Sequence, residues 1–237
     1  MTSPASTDAS VSRRSVLRWL GLGTASLLGG GLLSTPEPAG AALDHARMRS
    51  AMSAEFGAQG VQVLEEWLSL INRLRGADIA TQLREVNDFF NRKVRWLEDR
   101  TIWRQSDYWA TPLESLGRGA GDCEDYSIAK YVTLKELGIP VSKLRMIYVR
   151  ARLGRSQITQ AHMVLGYYET PSAEPLILDN IAASVSRASL RTDLDPLFSF
   201  NSSGLWAGGS TQSRADPLAR LSRWRNAIDR MRRQGIQ

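Results

Sequence analysis

The order of secondary-structure patterns along this chain predicts the α+β class. Apolar residues recur at helical spacing through much of residues 60–137, and short runs rich in Leu, Ile, Val and Tyr follow between residues 144 and 178. Helices that precede the strands, instead of alternating with them, are typical of α+β domains. A length of 237 residues suffices for one domain with a core, and no linker within residues 43–237 is long enough to separate two domains.

Four segments carry the helical pattern, at residues 60–75, 78–97, 123–137 and 216–233. Asp78 can cap the second helix, because its side chain can accept a hydrogen bond from the first helical turn. Gly138 ends the third helix, since glycine permits the left-handed conformation that often follows a helix. Residues 100–121 are rich in glycine and contain tryptophan and proline, so we interpret them as a loop.

Three runs after the third helix read as strands, at Leu144–Val149, His162–Tyr168 and Leu176–Leu178. Each is short and rich in Leu, Ile, Val or Tyr, as half-buried strands are. The third run ends directly in Asp179, so a carboxylate lies at a predicted strand end.

The first 42 residues have the pattern of an export signal. Paired arginines, Arg13 and Arg14, precede an apolar stretch at 19–33, and the small residues 39–42 follow. The arginine pair resembles a bacterial twin-arginine signal. An uncleaved membrane anchor is the alternative, but the stretch is short and glycine-rich for a spanning helix. We therefore expect cleavage near Leu43 and a periplasmic domain at 43–237.

Charge and cysteine content limit the function classes. The net charge is +6 and the isoelectric point about 9.8, which permits contact with anionic partners. No nucleic-acid-binding motif accompanies this charge, so we expect no nucleic-acid partner. The single cysteine, Cys123, excludes a disulfide within the chain.

Cys123 is the candidate nucleophile, although its neighbours are acidic. Asp122, Glu124 and Asp125 should raise the pKa of the thiol and weaken it as a nucleophile. A position at the start of the third helix opposes this effect, because unpaired N–H groups there stabilise a thiolate. The alternative is that Cys123 is simply a small buried apolar residue, as many isolated cysteines are.

His162 is the candidate general base, because the only other histidine, His45, lies close to the predicted cleavage site. An antiparallel pairing of the second and third strands would place Asp179 beside His162 and hold its tautomer. A structural histidine and an ordinary Asp179–Asn180 turn remain the alternatives at this point.

The run Gly121–Tyr131 resembles the signature of the bacterial transglutaminase-like cysteine proteinases, and especially their periplasmic LapG-type branch. Further stretches agree in order and spacing: 107–114, 143–145, 161–165, 178–180, 193–194 and 200–201. The resemblance spans roughly Phe89 to Trp206. It implies a papain-like or transglutaminase-like core, in which the nucleophile helix packs on an antiparallel sheet.

The resemblance also implies roles. Cys123 would be the nucleophile, His162 the general base and acid, and Asp179 the orienting carboxylate. Members of the LapG-type branch cleave a large surface adhesin near its N-terminus, next to paired alanines, and so release cells from biofilms. An inner-membrane receptor of the LapD type, which responds to cyclic di-GMP, holds them inactive.

Calcium is the cofactor that the resemblance implies, with Asp122, Glu124 and Asp125 as ligands. A divalent cation there would cancel the acidic field on the thiol. Calcium takes about six to eight oxygen ligands, so carbonyls, waters or a loop carboxylate such as Asp107 would complete the site. Without the resemblance, the favoured interpretation of these acidic residues is a helix cap that complements the macrodipole, because the calcium-loop pattern of the EF-hand is absent.

Three functions are therefore compared. The leading hypothesis is a calcium-dependent periplasmic cysteine endopeptidase. The second is an acyltransferase or cross-linking enzyme that uses the same triad with an amine as acceptor. The third is a calcium-stabilised binding protein without catalysis, which would not need the thiol of Cys123.

Overall fold

The computed structural model describes residues 43–152, 154, 158–208, 210 and 212–237, which lie in one compact unit. The predicted export signal at 1–42 lies outside the described residues and stays a prediction. No described helix combines the length and apolar content needed to cross a membrane.

Seven α-helices are described: α1 (His45–Leu74), α2 (Ile79–Lys93), α3 (Asp99–Ile102), α4 (Pro112–Arg118), α5 (Cys123–Glu136), α6 (Pro217–Arg220) and α7 (Ser222–Gln234). α1 begins well before the predicted start at Gly60, because it continues through a kink at Gly57, whose φ is 62°. The side chain of Asp78 caps α2 by accepting the Thr81 N–H, as predicted. α2 ends at Lys93, before the predicted end.

The interpretation of residues 100–121 as a loop was wrong, because α4 lies inside them. Thr111 caps α4 and exchanges hydrogen bonds with Glu114 in a capping box, and Pro112 occupies the first turn. Gly119 ends the helix at φ 61°. These start and stop signals are present in the sequence, but the helix is short and the surrounding glycines obscure them.

Two short strands, β1 (Arg95–Trp96) and β2 (Ala120–Gly121), pair in parallel just before α5. The main sheet is antiparallel and has the order β6-β5-β4-β3-β7-β8. Its strands are β3 (Leu144–Arg152), β4 (Thr159–Tyr167), β5 (Leu176–Leu178), β6 (Ser186–Arg187), β7 (Leu194–Phe200) and β8 (Leu205–Ala207). The three predicted strands are therefore present, and β7, which the sequence analysis missed, pairs with β3.

α5 packs against one face of this sheet, with α2 and α4 around it. Alternate residues of β3, such as Leu144 and Met146, belong to the main core, whereas Ile147 and Val149 belong to a smaller cluster on the opposite face. The core also contains Trp67, Phe90 and further large buried side chains. The predicted α+β class, with the nucleophile helix on an antiparallel sheet, is confirmed.

The C-terminal segment forms two helices instead of the single one predicted for 216–233. The break falls at Leu221, whose φ and ψ are −111° and 89°. Trp224 and Met231 of α7 are buried in the core, and Arg230 pairs with Glu114 of α4 at 3.0 Å. α7 therefore stabilises the position of α4, the helix that precedes Cys123.

Candidate active site

Cys123 is the first residue of α5, and it follows β2 directly. The thiol is partly buried and donates a hydrogen bond to Oε2 of Glu124 at 2.8 Å. Burial raises the pKa of this thiol well above its ordinary value, and the fields of Glu124 and Asp122 raise it further. The acidic surroundings predicted from the sequence therefore act on the thiol as expected.

His162 and Asp179 form a buried pair. β4 and β5 are antiparallel, with Leu165 opposite Leu178, which brings the residue after β5 to the histidine of β4. His162 Nε2 lies 2.8 Å from Asp179 Oδ1, and both side chains are almost fully buried. The prediction that an antiparallel strand pair joins them is confirmed. Because the carboxylate accepts from Nε2, the imidazole is held with Nδ1 available for proton exchange.

Arg191 is a third member of this cluster that the sequence analysis missed. Its Nη2 lies 2.7 Å from Asp179 Oδ2, and its guanidinium also binds Asp193. Burial alone would raise the pKa of Asp179, but the hydrogen bonds from His162 and the Ile181 N–H, together with the ion pair to Arg191, hold it well below the ordinary value of 3.8. Nothing in the local sequence marks Arg191, because only the fold brings it to Asp179.

Cys123 and His162 line the same cleft, which has a volume of about 650 Å³. α5 and β4 are joined beneath it by Ser127, whose hydroxyl donates to the carbonyl oxygens of Cys123 at 2.9 Å and Met163 at 3.1 Å. The remaining cleft residues come from every element around the mouth: Trp96, Glu98, Asp99, Arg100, Ser106, Asp107, Asp122, Glu124, Tyr148, Gln160, Ala161, Asn180 and Ile181. Cys123 and His162 therefore face one shared cleft.

Carboxylates converge beside the thiol. Oxygen atoms of Asp99, Asp122 and Asp125 all lie within 4.8 Å of one another, and Glu124 forms a similar group with Asp122 and Cys123. Both carboxylate oxygens of Asp125 have hydrogen-bond donors, because they accept from the N–H groups of Ala110 and Asp122. The predicted ligands Asp122 and Asp125 therefore meet, with Asp99 as an additional member that the sequence analysis missed.

Asp107, the loop carboxylate suggested from the sequence, lines the same cleft but is not among the converging oxygens. Its Oδ2 lies 2.8 Å from Arg223 Nε instead. Asp99 instead begins α3 and is nearly buried beside Asp122. The backbone N–H of Tyr108 donates to Asp99 Oδ2, but no group in the described part of the chain bonds its other oxygen.

The donor set fits a divalent cation. Burial, followed by the fields of neighbouring carboxylates, raises the pKa of Asp99 to about 6 and that of Asp122 to about 10. Burial also raises the pKa of Asp125. Buried oxygens of Asp99 and Asp122 lack hydrogen-bond partners among the described residues. Clustered hard oxygen ligands of this kind are those that Ca²⁺ prefers.

The chain matches known proteins over most of its length. The family described as bacterial transglutaminase-like cysteine proteinase matches residues 71–193, more than half of the chain. Legionella pneumophila LapG in its EGTA-treated form shares 34% identity at a TM-score of 0.70, covering 80% of this chain and 98% of that chain. Its calcium-bound form shares 35% identity at 0.66, covering 79% and 98%. No curated protein matches by sequence.

The matched residues include Cys123, His162 and Asp179, as well as the whole acidic cluster. The fold, the cleft and the identity to a solved cysteine protease agree with one another. This chain belongs to the bacterial transglutaminase-like cysteine proteinase family and is a LapG-like cysteine protease.

Proposed function

We propose that this cysteine protease is a calcium-dependent periplasmic endopeptidase that cleaves a large surface adhesin near its N-terminus, at a di-alanine type site. Cleavage would release the adhesin and promote biofilm dispersal. One observation carries the proposal: Cys123 and His162 line a single cleft, and the buried Asp179 is bonded to the imidazole at 2.8 Å. The 34% identity to Legionella LapG supports the choice of substrate.

The proposed chemistry uses the three residues in the order of a cysteine protease. The thiol of Cys123 passes its proton to His162 Nδ1, and Sγ forms a bond to the scissile carbonyl carbon. The imidazolium returns that proton to the leaving amine as the peptide bond breaks. Water then attacks the thioester, with His162 accepting and returning a proton, and releases the carboxylate product and the thiol. Asp179 stabilises the imidazolium throughout.

Asp99, Asp122 and Asp125 would hold the calcium ion, with Glu124 at the edge of the group. When bound, calcium supplies positive charge that offsets the field raising the pKa of the Cys123 thiol. The calcium-bound form of Legionella LapG supports this assignment for the present chain. Glu124, which accepts the thiol hydrogen bond, must release that bond before Cys123 reacts.

Export and regulation complete the proposal. The pattern at residues 12–42 supports passage to the periplasm, and N-terminal sequencing of the exported protein should begin near Leu43. We propose a LapD-type, cyclic di-GMP-responsive receptor of the inner membrane as the inhibitor, on the basis of the likeness to LapG. Addition of the periplasmic part of such a receptor to the purified protease should suppress cleavage.

The decisive experiment incubates purified residues 43–237 with N-terminal adhesin fragments, in calcium and in EGTA. We expect a new N-terminus at the di-alanine site in calcium, slower cleavage in EGTA, and none with Cys123→Ala. An isopeptide product would instead support acyl transfer, and full function of Cys123→Ala would support a binding protein. Equal rates in calcium and EGTA would contradict the calcium requirement.

A further inference from the structure

Lys130 is a buried lysine that the proposed chemistry does not use. Its side chain is fully inaccessible to solvent, seven residues after Cys123 on α5. A spacing of seven residues is two helical turns, so Lys130 lies on the same stripe of the helix as the nucleophile. Ser127, on that stripe between them, bonds β4. The stripe that begins at the thiol therefore ends at a buried amine.

The amine of Lys130 donates hydrogen bonds to two asparagines of α2. Lys130 Nζ lies 2.8 Å from Asn87 Oδ1 and 2.8 Å from Asn91 Oδ1, and it is 5.5 Å from the centre of the Tyr126 ring. No carboxylate of the described residues lies within ion-pairing distance of Nζ. Burial lowers the pKa of Lys130 to about 7, although the field of Asp179 opposes this effect. Keeping the amine charged in this place costs free energy, so Lys130 is an unfavourable residue for simple packing.

Each asparagine also donates a hydrogen bond to the loop that follows β5. Asn91 Nδ2 donates to the backbone carbonyl of Asp179 at 2.8 Å, and Asn87 Nδ2 donates to that of Ala183 at 2.9 Å. A carbonyl oxygen can only accept, so each amide must direct Nδ2 to the loop and Oδ1 to Lys130. The loop carbonyls thus determine the orientation of both amides, and Lys130 donates to the two Oδ1 atoms that this orientation leaves. The amides in turn hold residues 179–183.

We propose that Lys130 is a positioning residue for the triad, which acts through Asn91 on the backbone of Asp179. This inference rests on the proposed roles of Cys123, His162 and Asp179. Lys130 links α5, which carries the thiol, to Asp179, which orients the imidazole, and so fixes the distance between the two parts of the site. Asn87 binds the same loop at Ala183, four residues after Asp179, and therefore does not position the carboxylate.

The two asparagines provide a matched test. Asn91→Ala removes the contact to Asp179, whereas Asn87→Ala removes an equivalent contact to Ala183 from the more buried position. If the two asparagines had only a structural role, Asn87→Ala should lower the stability of the protein, and with it every other property, more than Asn91→Ala does. A positioning role reverses that order for the His162 imidazole, because a displaced Asp179 no longer holds Nε2 in the same place.

The measurement is the ¹⁵N NMR spectrum of the His162 imidazole in labelled residues 43–237, at constant pH and calcium concentration. The chain has two histidines, and His45→Gln assigns the spectrum. We expect Asn91→Ala and Lys130→Met to shift the Nε2 resonance of His162, because Nε2 is the atom that contacts Asp179. Asn87→Ala should leave it unchanged. Alkylation of Cys123 by iodoacetamide at pH 7 should slow in the same two variants.

Equal shifts in the two asparagine variants, or no shift in Asn91→Ala, would overturn the inference. Thermal unfolding of each variant shows whether a shift merely follows lost stability. If Lys130→Met does not fold, the asparagine pair still decides. The result is separable from the proposed function. Retained proteolysis by Cys123→Ala would refute the catalytic role of the thiol, whereas the two asparagine variants report only on the contact between His162 and Asp179.

Discussion

At the scale of single residues, Asp179 is the meeting point of the site. Its Oδ1 accepts hydrogen bonds from His162 Nε2 and the Ile181 N–H, and its Oδ2 lies 2.7 Å from Arg191 Nη2. Its backbone carbonyl accepts a hydrogen bond from Asn91 Nδ2. The side chain is wholly buried, so each lost partner leaves a charge without compensation. Substitutions around Asp179 should therefore affect both stability and catalysis.

Arg191→Gln should lower the free energy of unfolding at pH 7 by about 2 kcal/mol, because a buried carboxylate loses a charged partner. The pKa of Asp179 is depressed in the folded state, so this stabilisation is present above the ordinary value of 3.8 and is lost only as the pH falls through the lower pKa of the folded state. Urea denaturation at pH 7 and pH 2 should show a difference between wild type and variant that shrinks at pH 2.

The control for that substitution is Arg187→Gln. Arg187 is largely exposed and pairs with Glu174 at 3.7 Å, so its loss should change stability little at either pH. A deficit in Arg191→Gln that stayed constant between pH 7 and pH 2 would show that its ion pair with Asp179 is not the cause.

Asp99→Asn tests the carboxylate that the sequence analysis missed. The change keeps the shape of the side chain but removes one of three converging charges, so calcium affinity should fall by about tenfold or more. Isothermal titration with Ca²⁺ measures it. Asp107→Asn is the matched control, since that carboxylate is paired with Arg223. Equal losses in both variants would mean that Asp99 has no special part in binding.

At the scale of elements, the start of α5 joins the thiol to the acidic cluster. Gly121 ends β2, and a Cβ placed on it would lie 2.8 Å from Asp125 Oδ2 and 2.9 Å from Asp125 Cβ. Asp125 in turn accepts the N–H of Asp122 at 3.2 Å. Any side chain at residue 121 must therefore displace Asp125.

Gly121→Ala should destabilise the protein by about 1–3 kcal/mol, as overpacking does, and should also weaken calcium binding. Gly138→Ala is the comparison at the other end of α5, where φ is 91° and no atom lies within 4 Å of the added Cβ. That change should cost stability through backbone strain and leave calcium affinity intact. If both variants bound calcium with the affinity of the wild-type protein in a calorimetric titration, Gly121 would not support the acidic cluster.

At the scale of the whole molecule, calcium should be a stabilising ligand. The acidic cluster contains residues from α3, from the turn before α5 and from α5 itself, so an ion there connects separate segments. A ligand at 100 times its dissociation constant adds about 2.7 kcal/mol to stability when it binds only the folded state.

Thermal unfolding in calcium and in EGTA should therefore differ by several degrees, with the higher midpoint in calcium. Asp122→Asn should reduce this difference, because the variant loses a ligand. Identical midpoints for the wild-type protein in the two buffers would exclude structural stabilisation by calcium at this cluster.

Prediction from sequence succeeded where the signal is local. The helix that begins at Cys123, the cap at Asp78 and the runs around His162 and Leu176–Leu178 depend on the periodicity and end signals of neighbouring residues. It failed at α4, whose capping box is surrounded by glycines, and at β7, whose pairing partner β3 lies far away in sequence.

The sequence by itself determined the chemistry that this protein can perform. One cysteine, one well-placed histidine and a carboxylate after a strand left few choices for a triad, and the family signature agreed with them. Only the tertiary structure decided how those groups are supported. Arg191 and Asn91 reach Asp179, and Asp99 reaches Asp122, through contacts between segments remote in sequence. No local pattern encodes such contacts, because they depend on how the helices and the sheet pack.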